Sequence, residues 1–179
     1  MKGEQQKDPT DLAQAYKLWL LWAVLVALVA FFWSNGLHGE FTYDDKLEVV
    51  GNRTIRMLDE WGVVAAYNPA RILVIGSYAL NYHYAGADPF LYHLVDVLIH
   101  MVSAGLAMLF VTTLARATGV ANHLRVGFVS ALLWALHPMT TEAVTYTTGR
   151  SEQLVAMFGF WACWLWSRWL KEGGRSLWF

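Results

Sequence analysis

The sequence predicts an all-α integral membrane protein with about four transmembrane helices and a long outer loop that contains short interfacial helices. Of its 179 residues, 56% are hydrophobic and only 15% are charged, whereas a soluble domain usually carries about 25% charged residues. The apolar residues are gathered into runs of nearly uncharged sequence. The net charge of −1 provides no basic surface for a phosphate backbone, so we expect no nucleic-acid partner.

The first apolar run covers residues 18–37 and contains no charged residue, because the charge at Lys17 is followed by the next one at Glu40. About 20 apolar residues suffice to cross the hydrocarbon core. The polar leader 1–17 is long, and residues 33–36 lack the small-residue pattern of a signal-peptidase site. The run therefore predicts an uncleaved signal anchor that follows a cytoplasmic leader.

Three further helices are predicted near 90–115, 125–138 and 152–170. The first of these begins at Asp88-Pro89, an N-cap residue followed by a proline in the first turn. Residues 171–179 end on an apolar stretch that resembles the truncated start of a further segment. The membrane domain is thus expected to cover residues 18–170.

The basic residues predict the orientation of the chain. With the N-terminus inside, the short inner segments carry basic residues almost exclusively, as the positive-inside rule requires. The inner segments together would hold Lys2, Lys7, Lys17, Arg116, Arg125, Arg168, Lys171 and Arg175. Both termini are therefore predicted to be cytoplasmic, and residues 38–89 form the outer loop.

The outer loop is long for a plain connection, which indicates a functional segment. Apolar residues between Leu47 and Val64 recur in an irregular amphipathic pattern that fits a helix on the membrane surface. Residues 72–84 are apolar and aromatic, and they predict a second interfacial or re-entrant helix.

Asp44 and Asp45 follow the outer end of the first helix. One interpretation is structural, because Asp often caps a helix N-terminus, and spacing alone favours it. The other interpretation is chemical: a carboxylate can take a proton from a hydroxyl or can bind Mg²⁺ or Mn²⁺.

His93, Asp96 and His100 are spaced i, i+3 and i+7, and therefore share one face of the second helix. Ionisable groups at membrane depth normally face a cavity or a partner. A hydrogen-bonded packing cluster and a metal site are both compatible with this pattern. A polar transport path is a third reading, but the first and fourth helices are almost wholly apolar.

The segment between the third and fourth helices carries four further candidates on the same outer side as Asp44: His137, Glu142, Arg150 and Glu152. An arginine at a membrane interface can pair with a glutamate, or it can hold a phosphate through its planar fork. Because three groups of ionisable residues converge on one membrane face, a functional site is favoured over unrelated structural features.

Several of these stretches resemble a known family. The sequence FTYDD at 41–45 resembles the acidic motif of GT-C membrane glycosyltransferases. DPFLYHLV at 88–95, with Asn81 and His100, resembles a signature of the transmembrane and tetratricopeptide-repeat-containing O-mannosyltransferases and their bacterial relatives. The most specific match is FVSALLWALHP at 128–138, followed by TEAV at 141–144 and GRSE at 149–152.

The sequence also departs from this family. Asp96 stands where the family often has Asn, and Arg71-Ile72 stands where it usually has Arg-Pro. Family members typically have nine or more membrane helices, so the resemblance implies a GT-C-like N-terminal portion. We expect a fragment, a truncated gene or a split subunit that works with a missing C-terminal half or with other membrane subunits.

The resemblance implies transfer of a sugar from a polyprenyl-phosphate carrier to a protein or glycan hydroxyl on the outer or lumenal face, with inversion. Asp44 or Asp45 would be the catalytic base, and Arg150 and His137 would bind the donor phosphate. Supporting roles would fall to Glu142, Glu152, His93, Asp96, His100 and Arg71. A divalent metal, Mg²⁺ or Mn²⁺, is possible. A bacterial inner membrane is expected rather than the ER membrane, and a non-catalytic subunit with the same scaffold is the alternative.

Overall fold

The computed structural model describes residues 9–171, and this part of the chain is all-α, without a strand. The prediction of an all-α membrane protein is confirmed. α4 lies at the centre and packs against α1, α5 and α7. The seven α-helices are α1 (Pro9–Trp33), α2 (Trp61–Tyr67), α3 (Ile72–Ala85), α4 (Pro89–Ala117), α5 (His123–Ala135), α6 (Thr141–Thr145) and α7 (Arg150–Lys171).

Two helices are long and apolar enough to cross a membrane. α1 continues through a 3₁₀ turn, so that its apolar stretch Leu12–His38 has 27 residues. α4 has 29 residues and begins where the sequence predicts, since the Asp88 carboxylate accepts a hydrogen bond from the Phe90 N–H at 3.1 Å. At 1.5 Å per residue, each helix spans about 40 Å, which exceeds a hydrocarbon core of about 30 Å.

The other two predicted spans are less complete. α5 has 13 residues, or about 20 Å, which is too short to cross alone. α7 has 22 residues but carries Arg150 and Glu152 in its first turn. A third span arises only if α2 and the segment Pro69–Ala85, bent by 103° against each other, count as one broken or re-entrant span. Length and composition thus support two or three spans among the described residues, fewer than the four expected.

The outer loop folds into a packed layer instead of one amphipathic surface helix. Residues 46–64 form a π turn (Lys46–Val50), a 3₁₀ turn (Thr54–Arg56) and the start of α2. Ile55 and Val64 are buried against α3, together with Tyr78 and Tyr92. This small core holds the loop over the ends of α3 and α4. We call this side of the molecule the loop face, and the side that holds the start of α1 the N-terminal face.

Residues 1–8 of the predicted leader and residues 172–179 lie outside the described residues. The described part of α1 begins at Pro9, within the predicted leader. The proposed division of the chain into leader, membrane domain and further segment stays a prediction.

Candidate active site

A cavity of about 1000 Å³ opens on the loop face between the outer loop and the start of α7. Acidic side chains dominate its charged lining, and one arginine stands among them. The charged lining residues are Asp44, Glu48, Glu142, Glu152 and Arg71. Four carboxylates and one guanidinium in one cleft can bind a hydroxyl-bearing acceptor and one anionic group.

Asp44 and Asp45 point to different places because the backbone turns sharply before them. Tyr43 has a φ of 42°, a left-handed conformation that costs energy in a residue other than glycine and that clusters at functional sites. Its ring stacks on Tyr146 at 5.9 Å, which holds the turn against the segment before α7. Asp44 is exposed and lines the cavity, whereas Asp45 is buried beneath it.

The buried Asp45 connects distant parts of the chain. Its Oδ1 accepts a hydrogen bond from the Thr148 N–H at 2.8 Å, and its Oδ2 accepts one from the Thr42 N–H at 3.4 Å. Neither bond caps the turn at Lys46–Val50, which has no side-chain cap. The simple capping interpretation is therefore wrong for Asp45, whose carboxylate instead fixes the loop to the segment that precedes α7.

Arg150 does not face the cavity. Its side chain is fully buried and forms an ion pair with Asp96. The remaining guanidinium donors bind three neighbours on α3 and α4, and the Tyr78 ring lies 4.8 Å from the guanidinium carbon. These acceptors are the Ser77 hydroxyl (2.8 Å), the Asn81 amide oxygen (2.8 Å) and the Tyr92 carbonyl (3.0 Å). Because four donors are used and no surface is exposed, the predicted contact of Arg150 with a donor phosphate is not what the structure shows.

Arg71 is the arginine that reaches the cavity. Its guanidinium lies 4.0 Å from the Glu48 carboxylate and 3.5 Å from the Ser151 hydroxyl. About a third of the side chain is exposed (31%). A partly exposed guanidinium with weak, long contacts keeps donors available for an anionic ligand.

His137 also departs from its predicted role. Its Nδ1 accepts a hydrogen bond from the Met139 N–H at 3.1 Å and so caps the 3₁₀ turn Pro138–Thr140. Met139 and Thr140 line the cavity, whereas His137 is not among the lining residues. The structure therefore gives His137 a capping role, and its contact with a donor phosphate stays a prediction.

The three ionisable residues of α4 are buried but do not share one ligand. Asp96 pairs with Arg150, while His100 Nε2 lies 2.9 Å from the Ala135 carbonyl, which also accepts the Trp33 indole N–H at 3.0 Å. His93 packs against Phe41 at a ring distance of 6.3 Å. Across residues 9–171, no three His, Cys, Asp or Glu side chains come together as metal ligands. The residues present therefore do not fit the metal site considered for His93, Asp96 and His100.

Some site residues were not predicted. Glu48 and Tyr146 line the cavity, and Ser77 and Tyr78 contact Arg150. The spacing of Asp44 and Glu48, four residues apart, was a signal for Glu48, since such residues share a face in a helical segment. No local pattern indicates Ser77 or Tyr78, because their contacts with α7 depend on the tertiary fold.

Comparison with known proteins finds relatives of similar sequence. Protein O-mannosyl-transferase TMTC1 of Homo sapiens is 30% identical over 166 residues, which cover 84% of this chain and 18% of that protein. The Mus musculus protein of the same name is 31% identical over 166 residues (84% and 17%). Tmtc1 of Drosophila melanogaster is 34% identical over 140 residues (70% and 16%).

The chain is similar to the protein O-mannosyl-transferases. This similarity confirms the family resemblance predicted from the motifs. The chain spans less than a fifth of the length of these relatives. No protein-family model matches it, and no solved structure matches it. The relatives named here are animal proteins, and they give no support to the expected bacterial inner membrane.

Proposed function

We propose that the chain provides part of the active site of a membrane glycosyltransferase. The enzyme would transfer a sugar from a polyprenyl-phosphate carrier to an acceptor hydroxyl on the loop face. The observation that supports this proposal is the exposed Asp44 carboxylate, which shares a cavity of about 1000 Å³ with Arg71 at the ends of the membrane helices. The names of the similar proteins add mannose as the sugar and a protein as the acceptor.

In the proposed reaction, Asp44 acts as the general base. It removes the proton from the acceptor hydroxyl while the hydroxyl oxygen forms a bond to the anomeric carbon of the sugar. The bond from that carbon to the phosphate oxygen breaks, and its electron pair stays on the phosphate. One base and one leaving group suffice for a single displacement, which inverts the anomeric centre.

Arg71 takes the role that the sequence assigned to Arg150. Negative charge develops on the leaving phosphate, and a guanidinium aimed at that charge stabilises the transition state. Glu48 and Ser151 contact the Arg71 guanidinium and hold it at the cavity wall. Glu142 and Glu152 line the same wall and orient the acceptor.

Asp45 and Arg150 are positioning residues in this proposal. Asp45 fixes the turn that presents Asp44, through its bond to Thr148. Arg150 anchors the first turn of α7, which carries Ser151 and Glu152. No step is assigned to Mg²⁺ or Mn²⁺, because the described residues offer no cluster of ligands for either ion.

The proposal is tested by replacing the base. Membranes that contain the chain are given mannose linked to polyprenyl phosphate and a peptide with Ser and Thr, and mannosyl-peptide is counted. Asp44→Asn should lower the rate by at least about 100-fold, which is a usual contribution of general base catalysis. Asp59→Asn is the matched control: Asp59 is an exposed carboxylate of the same loop outside the cavity, and the rate should not change.

Arg71→Gln should lower kcat, because the guanidinium stabilises charge that develops on the leaving phosphate, and should also raise the KM for the lipid-linked sugar, whose phosphate is already charged in the ground state. A wild-type rate in Asp44→Asn would contradict the assignment of the base. Wild-type membranes without transfer above the background would contradict catalysis by this chain and would favour the non-catalytic subunit.

A further inference from the structure

A second cavity, of about 520 Å³, lies at the N-terminal face, far from the proposed active site. It opens between the start of α1, the end of α4, the start of α5 and the end of α7. Its charged or ionisable lining residues are Arg116, His123 and Arg168, and no Asp or Glu is among its lining residues in the described part of the chain. We call it the basic pocket. Along α7, Glu152 and Arg168 are about 24 Å apart at 1.5 Å per residue, so the two cavities lie near opposite membrane surfaces.

Polar donors accompany the basic groups of this pocket. Gln14, Thr112 and Thr113 are among its lining residues. The Thr112 hydroxyl is buried against Gly127 of α5, and the Thr113 hydroxyl donates a hydrogen bond to the Leu109 carbonyl at 2.8 Å. The Arg168 guanidinium carbon lies 5.6 Å from the Trp164 ring, which holds the side chain over the pocket. Basic pockets between membrane helices on the cytoplasmic side are suited to anionic lipid headgroups.

An apolar groove of about 340 Å³ adjoins the basic pocket and continues it toward the middle of the membrane. The two cavities share Leu18 on α1 and Leu109 on α4. The other groove residues are apolar or aromatic: Trp19, Trp22, Val102, Gly105 and Leu106. Gly105 makes room for this arrangement, since a Cβ at that position would stand only 2.3 Å from Trp22 Nε1.

We infer that the basic pocket and the apolar groove together bind one anionic phospholipid of the cytoplasmic leaflet. Its phosphate headgroup lies between Arg116 and His123, and one acyl chain follows the groove between α1 and α4. The charge of the pocket favours an anion, and the adjoining groove favours an anion that carries a hydrocarbon chain. A free phosphate would occupy the pocket but leave the groove empty. An apolar helix would fill the groove but would supply no negative charge to the pocket. This lipid is distinct from the sugar donor, which the proposed function places at the opposite face.

Binding of the headgroup in the basic pocket is tested on the purified chain in detergent. The chain is titrated with phosphatidylglycerol or with phosphatidylcholine, and native mass spectrometry counts the bound lipid. One phosphatidylglycerol should bind at least about fivefold more tightly than phosphatidylcholine, since one basic group near a headgroup contributes this much. Arg116→Gln should remove about fivefold of the affinity. Arg125→Gln, the matched control, removes the same charge from an exposed site of α5 outside the pocket and should leave the affinity unchanged.

Binding of the acyl chain is tested by a substitution that fills the apolar groove. Val102→Trp should weaken phosphatidylglycerol binding by about fivefold or more, whereas Leu98→Trp, on an exposed part of α4 outside the groove, should not. Equal binding of the two lipids, or equal losses in Arg116→Gln and Arg125→Gln, would overturn the inference. Displacement of phosphatidylglycerol by millimolar inorganic phosphate, together with unchanged binding in Val102→Trp, would identify a free anion as the ligand and would also overturn it.

Discussion

Arg150 shows how one residue can determine the geometry of a site without contacting its ligand. Its guanidinium joins α3, α4 and the first turn of α7, and its ion pair with Asp96 is closed to solvent. Desolvation of the two charges costs several kcal/mol per ion, and this cost is offset only while each charge keeps its partner and its hydrogen bonds. The pair therefore specifies how α7 is seated, and with it the wall of the cavity.

Removal of one charge of this pair should be more harmful than removal of both. Arg150→Met leaves Asp96 buried without its cation and should destabilise the fold by about 3–5 kcal/mol. Asp96→Leu/Arg150→Met removes both charges and should recover a large part of that loss. Thermal unfolding in detergent measures the three proteins, and a double variant no more stable than Arg150→Met would contradict the argument.

From the sequence, the positions of these ionisable residues could be predicted better than their contacts. The spacing of His93, Asp96 and His100 correctly placed three buried ionisable groups on α4, but their partners come from three different segments. The Asp44-Asp45 pair was found from sequence, whereas the separation of the two roles depends on the backbone turn at Tyr43. The role of Arg150 could not be predicted, because all five of its contacting residues lie between 54 and 73 positions away.

At the scale of elements, a helix start could be predicted where local hydrogen bonds fix it, whereas the described part of α1 already begins at Pro9, nine residues before the predicted start at 18. Asp88-Pro89 fixes the start of α4 through local bonds, and the structure agrees. α5 ends at Ala135, before His137-Pro138; the proline ring removes a backbone donor and restrains the residue before it. The loop residues 46–64 break into short turns because Ile55 and Val64 are drawn into a common core with α3, which no single helical face would allow.

α4 and α5 pack closely through a glycine. A Cβ at Gly127 would stand 2.9 Å from the Met108 carbonyl and would overlap the Thr112 hydroxyl. Gly127→Ala should therefore separate the helices and cost about 1–3 kcal/mol of stability, as overpacking does. Gly159→Ala is the matched control, because nothing lies within 4 Å of a Cβ there and alanine favours a helix by up to about 1 kcal/mol. Unfolding in detergent should distinguish the two, and equal stability of both variants would contradict close packing at Gly127.

At the scale of the whole molecule, the two cavities differ in charge and open toward opposite sides of the membrane. The acidic cavity lies on the loop face, and the basic pocket lies on the N-terminal face with Arg116 and Arg168. The same distribution of basic residues predicts that the N-terminal face is cytoplasmic. A donor and an acceptor would then meet across the membrane from the cytoplasm, while the pocket would contact the anionic cytoplasmic leaflet.

This orientation can be measured with single cysteines. The sequence contains one cysteine, Cys163, so Cys163→Ser provides a cysteine-free background. Leu47→Cys reports on the loop face and Asn122→Cys on the connection between α4 and α5, and both positions are exposed. In sealed vesicles whose outer surface is the cytoplasmic one, a membrane-impermeant maleimide should label Asn122→Cys at once and Leu47→Cys only after detergent is added.

The reverse pattern would place the acidic cavity in the cytoplasm and would contradict both the predicted orientation and the lumenal or outer position of the proposed reaction. Labelling of both cysteines in sealed vesicles would mean that α4 does not separate two compartments, despite its 29 residues. Labelling of Asn122→Cys alone would place Asp44 and Arg71 beyond the membrane. The lipid-linked donor would then present its phosphate on that side, because Asp44 and Arg71 line one cavity there.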